Sequence, residues 1–372
     1  MTLSLYVHVP FCKKKCDYCD FVSYAGRESA IDDYLEALSV ESAKVSADLQ
    51  RHEVATVFIG GGTPTLLEPD RIEKAFKTLR SNFDFQSGAE ITVEANPGTI
   101  TRDKLKALRE NGVNRISLGV QSLDDEMLKK LGRIHRSFEV ISSVEMIREA
   151  GFRNLGLDLI FAIPGQSQKD WIRTLEGAVK LKPEHISTYN LQIEEGTPFH
   201  TEMTEGALRP QSEEAELDMY RTAISKLKEA GYSHYEISNF AKPGMESRHN
   251  IVYWKMGDYI GLGCGAHSYL NGTRIENSSD LSSYIKDPVG SKHEHRNTKK
   301  ENMQEFVFLG LRMMDGFDLE EFTGRFGISF REIYRRELED LQNDGLLKVA
   351  GKKVRLTEKG LYIANEVFKA FL

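Results

Sequence analysis

The chain has 372 residues, a formal net charge of −7 and a hydrophobic fraction of 40%. This length can bury a large core and predicts one large domain with a smaller one, while the acidic balance argues against a surface that attracts nucleic acid as a whole. No run of the sequence approaches the roughly 18 apolar residues of a membrane span. The strand-like start and the small number of cysteines, four in all, predict a cytoplasmic protein without a targeting peptide.

Strands and helices are predicted to alternate along the first 230 residues. Apolar, β-branched runs predict six strands, at residues 5–9, 55–59, 90–95, 115–118, 155–161 and 184–191. Amphipathic stretches predict helices at residues 31–50, 69–81 and 101–111, twice within 124–150, and at 168–181 and 212–230. Such alternation produces parallel strands joined by right-handed crossovers. Six units predict an open, partial barrel of the α/β class, similar to an incomplete TIM barrel, with its ligand site at the carboxyl ends of the strands.

The pattern changes after residue 230. Residues 233–237 and 258–268 are short, glycine-rich and aromatic, and the polar segment 280–298 is predicted to be a loop or linker. Helices are predicted at 302–314, 319–326, 330–344 and 358–368, with a hairpin at 347–356. This order resembles a winged-helix module, which either binds DNA or caps the barrel, and the acidic balance favours the cap. The predicted domains are the partial barrel (1–230), its extension (231–297) and the winged-helix-like domain (298–372).

Three of the four cysteines lie within eight residues, at Cys12, Cys16 and Cys19. Buried structural cysteines would be scattered through the core, so this C-x3-C-x2-C spacing indicates a metal or cluster site. A structural zinc site remains an alternative, with His8 as the nearest fourth ligand, although no second Cys/His pair follows at zinc-finger spacing. Three thiolates can instead hold three irons of a [4Fe–4S] cluster and leave the fourth iron open to a substrate or cofactor.

This cysteine spacing resembles that of the radical S-adenosylmethionine (SAM) enzymes. The resemblance implies a [4Fe–4S] cluster that binds SAM, and a one-electron donor such as flavodoxin that reduces it. Further motifs resemble, along nearly the whole chain, the oxygen-independent coproporphyrinogen III oxidase (HemN-like) family, which includes HemW-type heme chaperones. These motifs are YVHVPFC at 6–12, GGGTP at 60–64, EANP at 94–97, GVQS at 119–122, GRIH at 132–135, DLIF at 158–161, IPGQ at 163–166, EGTP at 195–198 and HNIVYW at 249–254.

The residues near SAM are assigned through this resemblance. Glycines after a strand let a ligand approach the backbone, and a guanidinium suits the SAM carboxylate, although Arg133 could also be a solvated helix-end arginine. Glu94 suits the ribose or the ammonium of SAM, with a structural ion pair as its alternative. Asp158 lies inside an apolar strand and should therefore have a partner. The implied SAM-binding set is Tyr6, Tyr18, Gly61, Gly62, Thr63, Glu94, Gln121, Arg133 and Asp158.

The second unit of interest is the motif His249-Asn250-x-x-Tyr253-Trp254. Imidazole is a common axial ligand of heme iron, and aromatic rings can stack on a porphyrin. The sequence alone also allows a histidine fixed by a turn, with two core aromatics beside it. HemW-type chaperones carry this motif, so the resemblance implies that His249, Tyr253 and Trp254 bind heme.

Two departures separate the chain from the decarboxylase of the same family. The decarboxylase has a further cysteine where Phe21 stands here, and a longer segment before its cysteines than the eleven residues of this chain. We therefore predict a heme chaperone that passes heme to an apo-hemoprotein acceptor, without coproporphyrinogen oxidase activity. The alternatives are the oxidative decarboxylation of coproporphyrinogen III and a nucleic-acid-binding function of the C-terminal module. A peripheral membrane contact is compatible with the chaperone hypothesis, and the oligomeric state remains open.

Overall fold

The computed structural model describes residues 2–49 and 52–372. Its strands are β1 (Thr2–Val9), β2 (Phe11–Cys12), β3 (Tyr24–Ala25), β4 (Glu53–Gly61), β5 (Asp84–Ala95), β6 (Arg115–Gln121), β7 (Asn154–Phe161), β8 (His185–Asn190), β9 (Ser233–Glu236), β10 (Asn239–Ala241), β11 (Tyr259–Leu262), β12 (His267–Leu270), β13 (Thr273–Asn277), β14 (Lys292–Arg296), β15 (Phe317–Asp318), β16 (Leu347–Ala350) and β17 (Lys353–Leu356). The helices are α1 (Ile31–Asp48), α2 (Pro69–Asn82), α3 (Arg102–Glu110), α4 (Asp125–Lys130), α5 (Ser137–Glu149), α6 (Gln168–Lys180), α7 (Pro198–Thr204), α8 (Glu213–Glu229), α9 (Arg248–Trp254), α10 (Leu281–Lys286), α11 (Lys299–Arg312), α12 (Leu319–Phe326), α13 (Phe330–Ile333), α14 (Arg335–Asn343), α15 (Glu358–Tyr362) and α16 (Ala364–Lys369).

Six parallel strands form the centre of the molecule, in the order β1-β4-β5-β6-β7-β8. These are the six strands that the sequence predicts, so the α/β partial-barrel class is confirmed. Their inner runs are apolar because both faces are covered, and Val57, Ile116 and Leu157 are fully buried. Helix α1 ends at Asp48, and residue 50, the predicted end of that helix, lies outside the described residues.

The sheet continues beyond the six parallel strands on both sides. Strand β11 pairs parallel to β1, and β12, β13 and β14 follow as antiparallel neighbours, while β10 and β9 extend the β8 side. The prediction that residues 280–298 form a loop or linker is wrong, because this segment contains α10 and β14. Strand β14 reads Lys-His-Glu-His-Arg and lies at the sheet edge, largely exposed, so it lacks the apolar alternation that identifies a buried strand.

A buried carboxylate, Glu41 on α1, holds this extension in place. Its oxygens accept hydrogen bonds from Asn277 Nδ2 (2.7 Å), Tyr284 Oη (2.7 Å) and the Gly263 amide (2.8 Å). Lys292 Nζ lies 3.0 Å from the same carboxylate. A buried charge is stable only when it is paired and hydrogen-bonded, so these contacts fasten α10, β13 and β14 to the barrel.

The C-terminal residues have a core of their own around a three-stranded sheet, in the order β15-β17-β16. Met256 and Tyr269, from the barrel extension, belong to this core, which therefore packs against the barrel edge. Two helices predicted as continuous are broken: α13 and α14 meet at Tyr334, and α15 and α16 meet at Ile363, where the backbone leaves the helical region. The boundaries of the three predicted domains stay a prediction. Among the described helices, none has the length and apolarity needed to cross a membrane.

Candidate functional site

A cavity of about 420 Å³ opens at the carboxyl ends of the parallel strands, where a barrel of this kind places its ligands. We call it the cluster cavity because the three clustered cysteines line it. Strand β5 ends one residue after Glu94, and β6 ends at Gln121, whose φ of 62° is in the left-handed region. The predicted SAM residues that line it are Tyr18, Gly61, Gly62, Thr63, Glu94, Gln121, Arg133 and Asp158.

The cysteines of this cavity are free, half-buried thiols. Cys12 Sγ lies 3.6 Å from Thr63 Oγ1, and Cys16 Sγ accepts a hydrogen bond from Arg133 Nη1 at 3.5 Å. Burial raises the pKa of the Cys12 and Cys19 thiols, so their thiolate form needs positive charge beside it. Among residues 2–49 and 52–372, no three His, Cys, Asp or Glu side chains converge as a site for one metal ion. Three thiols along one wall are the donor set of a larger iron–sulfur group.

Arg133 links the cysteine loop to the strand ends. Besides its bond to Cys16, its Nη2 donates to Asn96 Oδ1 and, at 2.8 Å, to the Gly119 carbonyl. Its Nε is buried without a hydrogen-bond partner in the described chain, and the side chain lines the cluster cavity. Asn96 in turn donates to Thr63 Oγ1 at 2.9 Å. The alternative of a solvated helix-end arginine is wrong.

Asn96 is a site residue that the sequence did not single out. It lies two residues after the predicted Glu94 in the EANP motif and lines the same cavity. Through Arg133 on one side and Thr63 on the other, it joins Cys16 to Cys12 by a chain of hydrogen bonds. The signal for it was its position directly after a strand end, where polar side chains face the ligand.

Two carboxyl groups form the inner wall of the cavity. Asp158 accepts hydrogen bonds from Ser117 Oγ (3.0 Å) and Ser187 Oγ (2.7 Å), which are the partners that its position in an apolar strand required. Glu94 accepts a hydrogen bond from the Gly61 amide at 3.1 Å, so it contacts the backbone rather than an ion-pair partner among the described residues. Burial and the nearby Asp158 raise the pKa of Glu94 to about 8. A positively charged ligand group would lower that pKa and bind both carboxylates.

The glycine run also has a packing role that the sequence did not reveal. Gly61 has φ +104°, and a Cβ there would lie 2.6 Å from the His8 ring. At Gly62 a Cβ would lie 2.6 Å from the Phe11 carbonyl oxygen. The two glycines are therefore required by the protein's own packing of β4 against β1 and the cysteine loop. Both also line the cluster cavity, so the predicted approach of a ligand to their backbone stays a prediction.

A second pocket, of about 460 Å³, lies beside the cluster cavity, between α9 and the sheet extension. We call it the aromatic pocket, because its walls include Tyr6, Tyr253, Trp254, Tyr259 and Tyr269. Tyr6 thus lies here and not in the cluster cavity, where its predicted contact with SAM would be. Asp20 and Phe21, which directly follow the third clustered cysteine, line both spaces.

The histidine and the aromatics of the predicted heme motif have different surroundings. Tyr253 and Trp254 are half-buried and line the aromatic pocket, whereas His249 is fully buried behind them. The Thr56 hydroxyl donates its proton to Ser4, so it accepts a hydrogen bond from His249 Nδ1 at 2.8 Å. His249 Nε2 then accepts a hydrogen bond from Tyr253 Oη at 2.8 Å. Burial lowers the pKa of His249 to about 3. Both ring nitrogens of His249 are therefore engaged within the protein.

Comparisons with known proteins agree with this fold and site. The model of the radical SAM superfamily matches residues 6–178, and that of the HemN C-terminal domain matches residues 297–363. The chain is 40% identical to the heme chaperone HemW of Bacillus subtilis, over 99% of both chains. It is 35% identical to HemW of Escherichia coli, over 100% of this chain and 98% of that one. The solved structure of coproporphyrinogen III oxidase (HemN) from E. coli, a radical SAM enzyme, superposes with a TM-score of 0.86 at 26% identity, covering 99% of this chain and 89% of that one. The chain therefore belongs to the HemW family within the radical SAM superfamily.

Proposed function

We propose that this protein is a heme chaperone, which binds heme in the aromatic pocket and passes it to an apo-hemoprotein. The observation that carries the proposal is the pocket itself, lined by Tyr253 and Trp254 of the family motif. Relatives of nearly the same length carry the name heme chaperone HemW, which supports heme as the ligand.

The size and the walls of the aromatic pocket suit a porphyrin that binds and is later released to an acceptor protein. Its volume of about 460 Å³ is within the range of small-molecule pockets, and aromatic faces stack favourably on a flat conjugated ring. Phe21, which lines this pocket, is 62% exposed. A pocket with an exposed edge lets an acceptor protein reach the ligand without unfolding of the barrel.

The cluster cavity is proposed to hold a [4Fe–4S] cluster on Cys12, Cys16 and Cys19, with SAM beside it. The free thiols, the Arg133 guanidinium and the carboxyl groups of Glu94 and Asp158 fit these two groups. When bound and reduced, the cluster supplies the electron with which this superfamily cleaves SAM, and the donor of that electron would be a protein such as flavodoxin.

The proposal assigns roles to four side chains of the cavity. Arg133 orients the SAM carboxylate, while Glu94 and Asp158 attract the positive charge of SAM. Asn96 holds the side chains of Arg133 and Thr63 in position beside the cysteine loop through its hydrogen bonds to both. A cytoplasmic location and a peripheral membrane contact stay predictions.

The second candidate function is the decarboxylation of coproporphyrinogen III, favoured by the close superposition on HemN. Phe21 weighs against it, because an exposed phenyl ring at this position has no atom that ligates a metal. One experiment separates the two functions. The protein is reconstituted anaerobically, titrated with heme, and mixed with an apo-hemoprotein. A parallel sample receives SAM, a reductant and coproporphyrinogen III.

For the chaperone, we expect a shift of the Soret band of heme on binding, transfer of heme to the acceptor and no protoporphyrinogen. Trp254→Ala should weaken heme binding because it removes a stacking face, whereas the control Tyr189→Ala, in the cluster cavity, should not. Turnover of coproporphyrinogen III without heme binding would reverse the assignment.

A further inference from the structure

Two histidines line the aromatic pocket, and their ring nitrogens differ in availability. His8 is 5% exposed, its Nε2 donates to the Val22 carbonyl at 2.7 Å, and Tyr6 Oη donates to its Nδ1 at 2.9 Å. The His267 side chain, at the first residue of β12, is 61% exposed. Its contact with Glu276 Oε1, at 3.9 Å, is longer than a hydrogen bond. His267 is therefore the imidazole of this pocket that can offer a ring nitrogen to a ligand.

Several other groups near the pocket that could ligate iron are engaged or buried, whereas the carboxylate of Asp20 is exposed. The Tyr253 hydroxyl donates to His249, and the Tyr6 hydroxyl donates to His8. Met256 is 4% exposed and belongs to the core of the C-terminal domain. His249 itself is fully buried and does not line the pocket. An iron ligand from this set would require breaking a buried contact, which costs on the order of 1–3 kcal/mol for each polar group left unpaired.

We propose that His267 is the residue that ligates heme iron in the aromatic pocket, and that His249 is a positioning residue that orients Tyr253. The proposal rests on the proposed heme function. Strand β12 supplies the imidazole from one wall, and α9 supplies the aromatic faces from the other. Glu276 Oε1 lies 3.9 Å from His267 Nε2, so a small movement of the side chains would let the carboxylate accept that N–H, fix the tautomer and leave the other nitrogen for the iron.

The position of His249 in the motif follows from helix geometry. Residues four apart lie on the same helix face, and the Tyr253 hydroxyl donates to His249 Nε2 one turn earlier. The buried hydrogen bond to Thr56 of β4 fixes the imidazole through its other ring nitrogen, Nδ1. His249 thus holds the Tyr253 ring at the pocket wall without touching the ligand.

The test is a titration of the full-length protein with ferric heme, followed by the Soret band. In His267→Ala we expect a shifted Soret maximum and at least a tenfold higher Kd, and added free imidazole should restore the wild-type spectrum. His249→Gln should keep the wild-type Soret position while the Kd rises, because the ligand remains and only Tyr253 is displaced. The control His200→Ala, on α7 and outside the pocket, should match wild type.

Three outcomes would overturn the assignment. His249 would be identified as the ligand if heme bound to His267→Ala had the wild-type spectrum and heme added to His249→Gln did not show the Soret shift that accompanies binding to the wild type. If only His293→Ala lost the Soret shift that accompanies binding, the iron ligand would instead be His293, which lies two strands along the sheet on β14 and pairs with Glu276. A His267→Ala spectrum that free imidazole does not restore would mean disturbed packing rather than a lost ligand. Failure of the wild-type protein to bind heme would instead refute the proposed function.

Discussion

Replacing His249 with glutamine should make the protein less sensitive to mild acid. In the structure His249 is a buried neutral imidazole, and burial lowers its pKa from 6.5 to about 3. A group whose folded pKa is depressed contributes stability above its unfolded pKa, and this contribution is lost as the pH falls. Glutamine can still accept the hydrogen bond from the Tyr253 hydroxyl, but it does not titrate.

The size of the effect follows from the two pKa values. Between about pH 7 and about pH 5, protonation of His249 in the unfolded chain lowers the free energy of unfolding by about 2 kcal/mol. Other buried histidines, such as His135 and His234, add to the acid sensitivity of both proteins equally. The difference between wild type and variant therefore isolates His249.

The assay is urea unfolding of both proteins, free of cluster and ligand, at the two pH values. Circular dichroism and tryptophan fluorescence should agree on the transition before free energies are compared. We expect the wild type to lose about 2 kcal/mol more than His249→Gln on acidification. An equal loss in both proteins would refute the view of His249 as a buried neutral imidazole.

Three further predictions concern the cluster cavity. Alanine at any one of the three clustered cysteines should abolish the content of about four irons and four sulfides per chain, whereas Cys264→Ala should retain it. Arg133→Ala should weaken SAM binding, measured by calorimetry, by about 1.5–3 kcal/mol, while the exposed control Arg136→Ala should not. Without ligands, Glu94 has a raised pKa of about 8, so its contribution to stability is present below pH 4.5 and lost as the pH rises to about 8. Glu94→Gln should therefore remove a decrease on the order of 3 kcal/mol between about pH 5 and about pH 8.

Each of these predictions has a contrary result. Tightly bound zinc without sulfide would contradict the cluster. Unchanged SAM affinity in Arg133→Ala would remove the guanidinium from the SAM site. An identical pH dependence of unfolding in Glu94→Gln and wild type would mean that the Glu94 carboxyl is ionised in the folded protein.

The parallel strands could be predicted because burial on both faces requires apolar residues along each strand. Strands covered on both faces are continuous apolar runs, and the segments around Val57, Ile116 and Leu157 have this character. Strand β14 could not be recognised, because an exposed edge strand is polar at successive positions. Its place depends on pairing with β13 and on the contact of Lys292 with Glu41, which is 251 residues earlier in the chain.

The candidate site could be predicted in part for a similar reason. Spacing alone groups the cysteines, and the rule that ligands bind at strand ends locates Glu94 and Gln121. The surroundings of His249 could not be foreseen, since its partner Thr56 is 193 residues away. The motif therefore indicated the aromatic pocket but not which of its side chains face the ligand.

The central claim is that the protein carries heme rather than converting coproporphyrinogen III. It is tested most directly by mixing heme-loaded, anaerobically reconstituted protein with an apo-hemoprotein and following the acceptor's absorption spectrum. We predict transfer by the wild type, with less heme carried by Trp254→Ala because a stacking face is missing. No transfer, together with formation of protoporphyrinogen from coproporphyrinogen III in the presence of SAM and a reductant, would contradict the account.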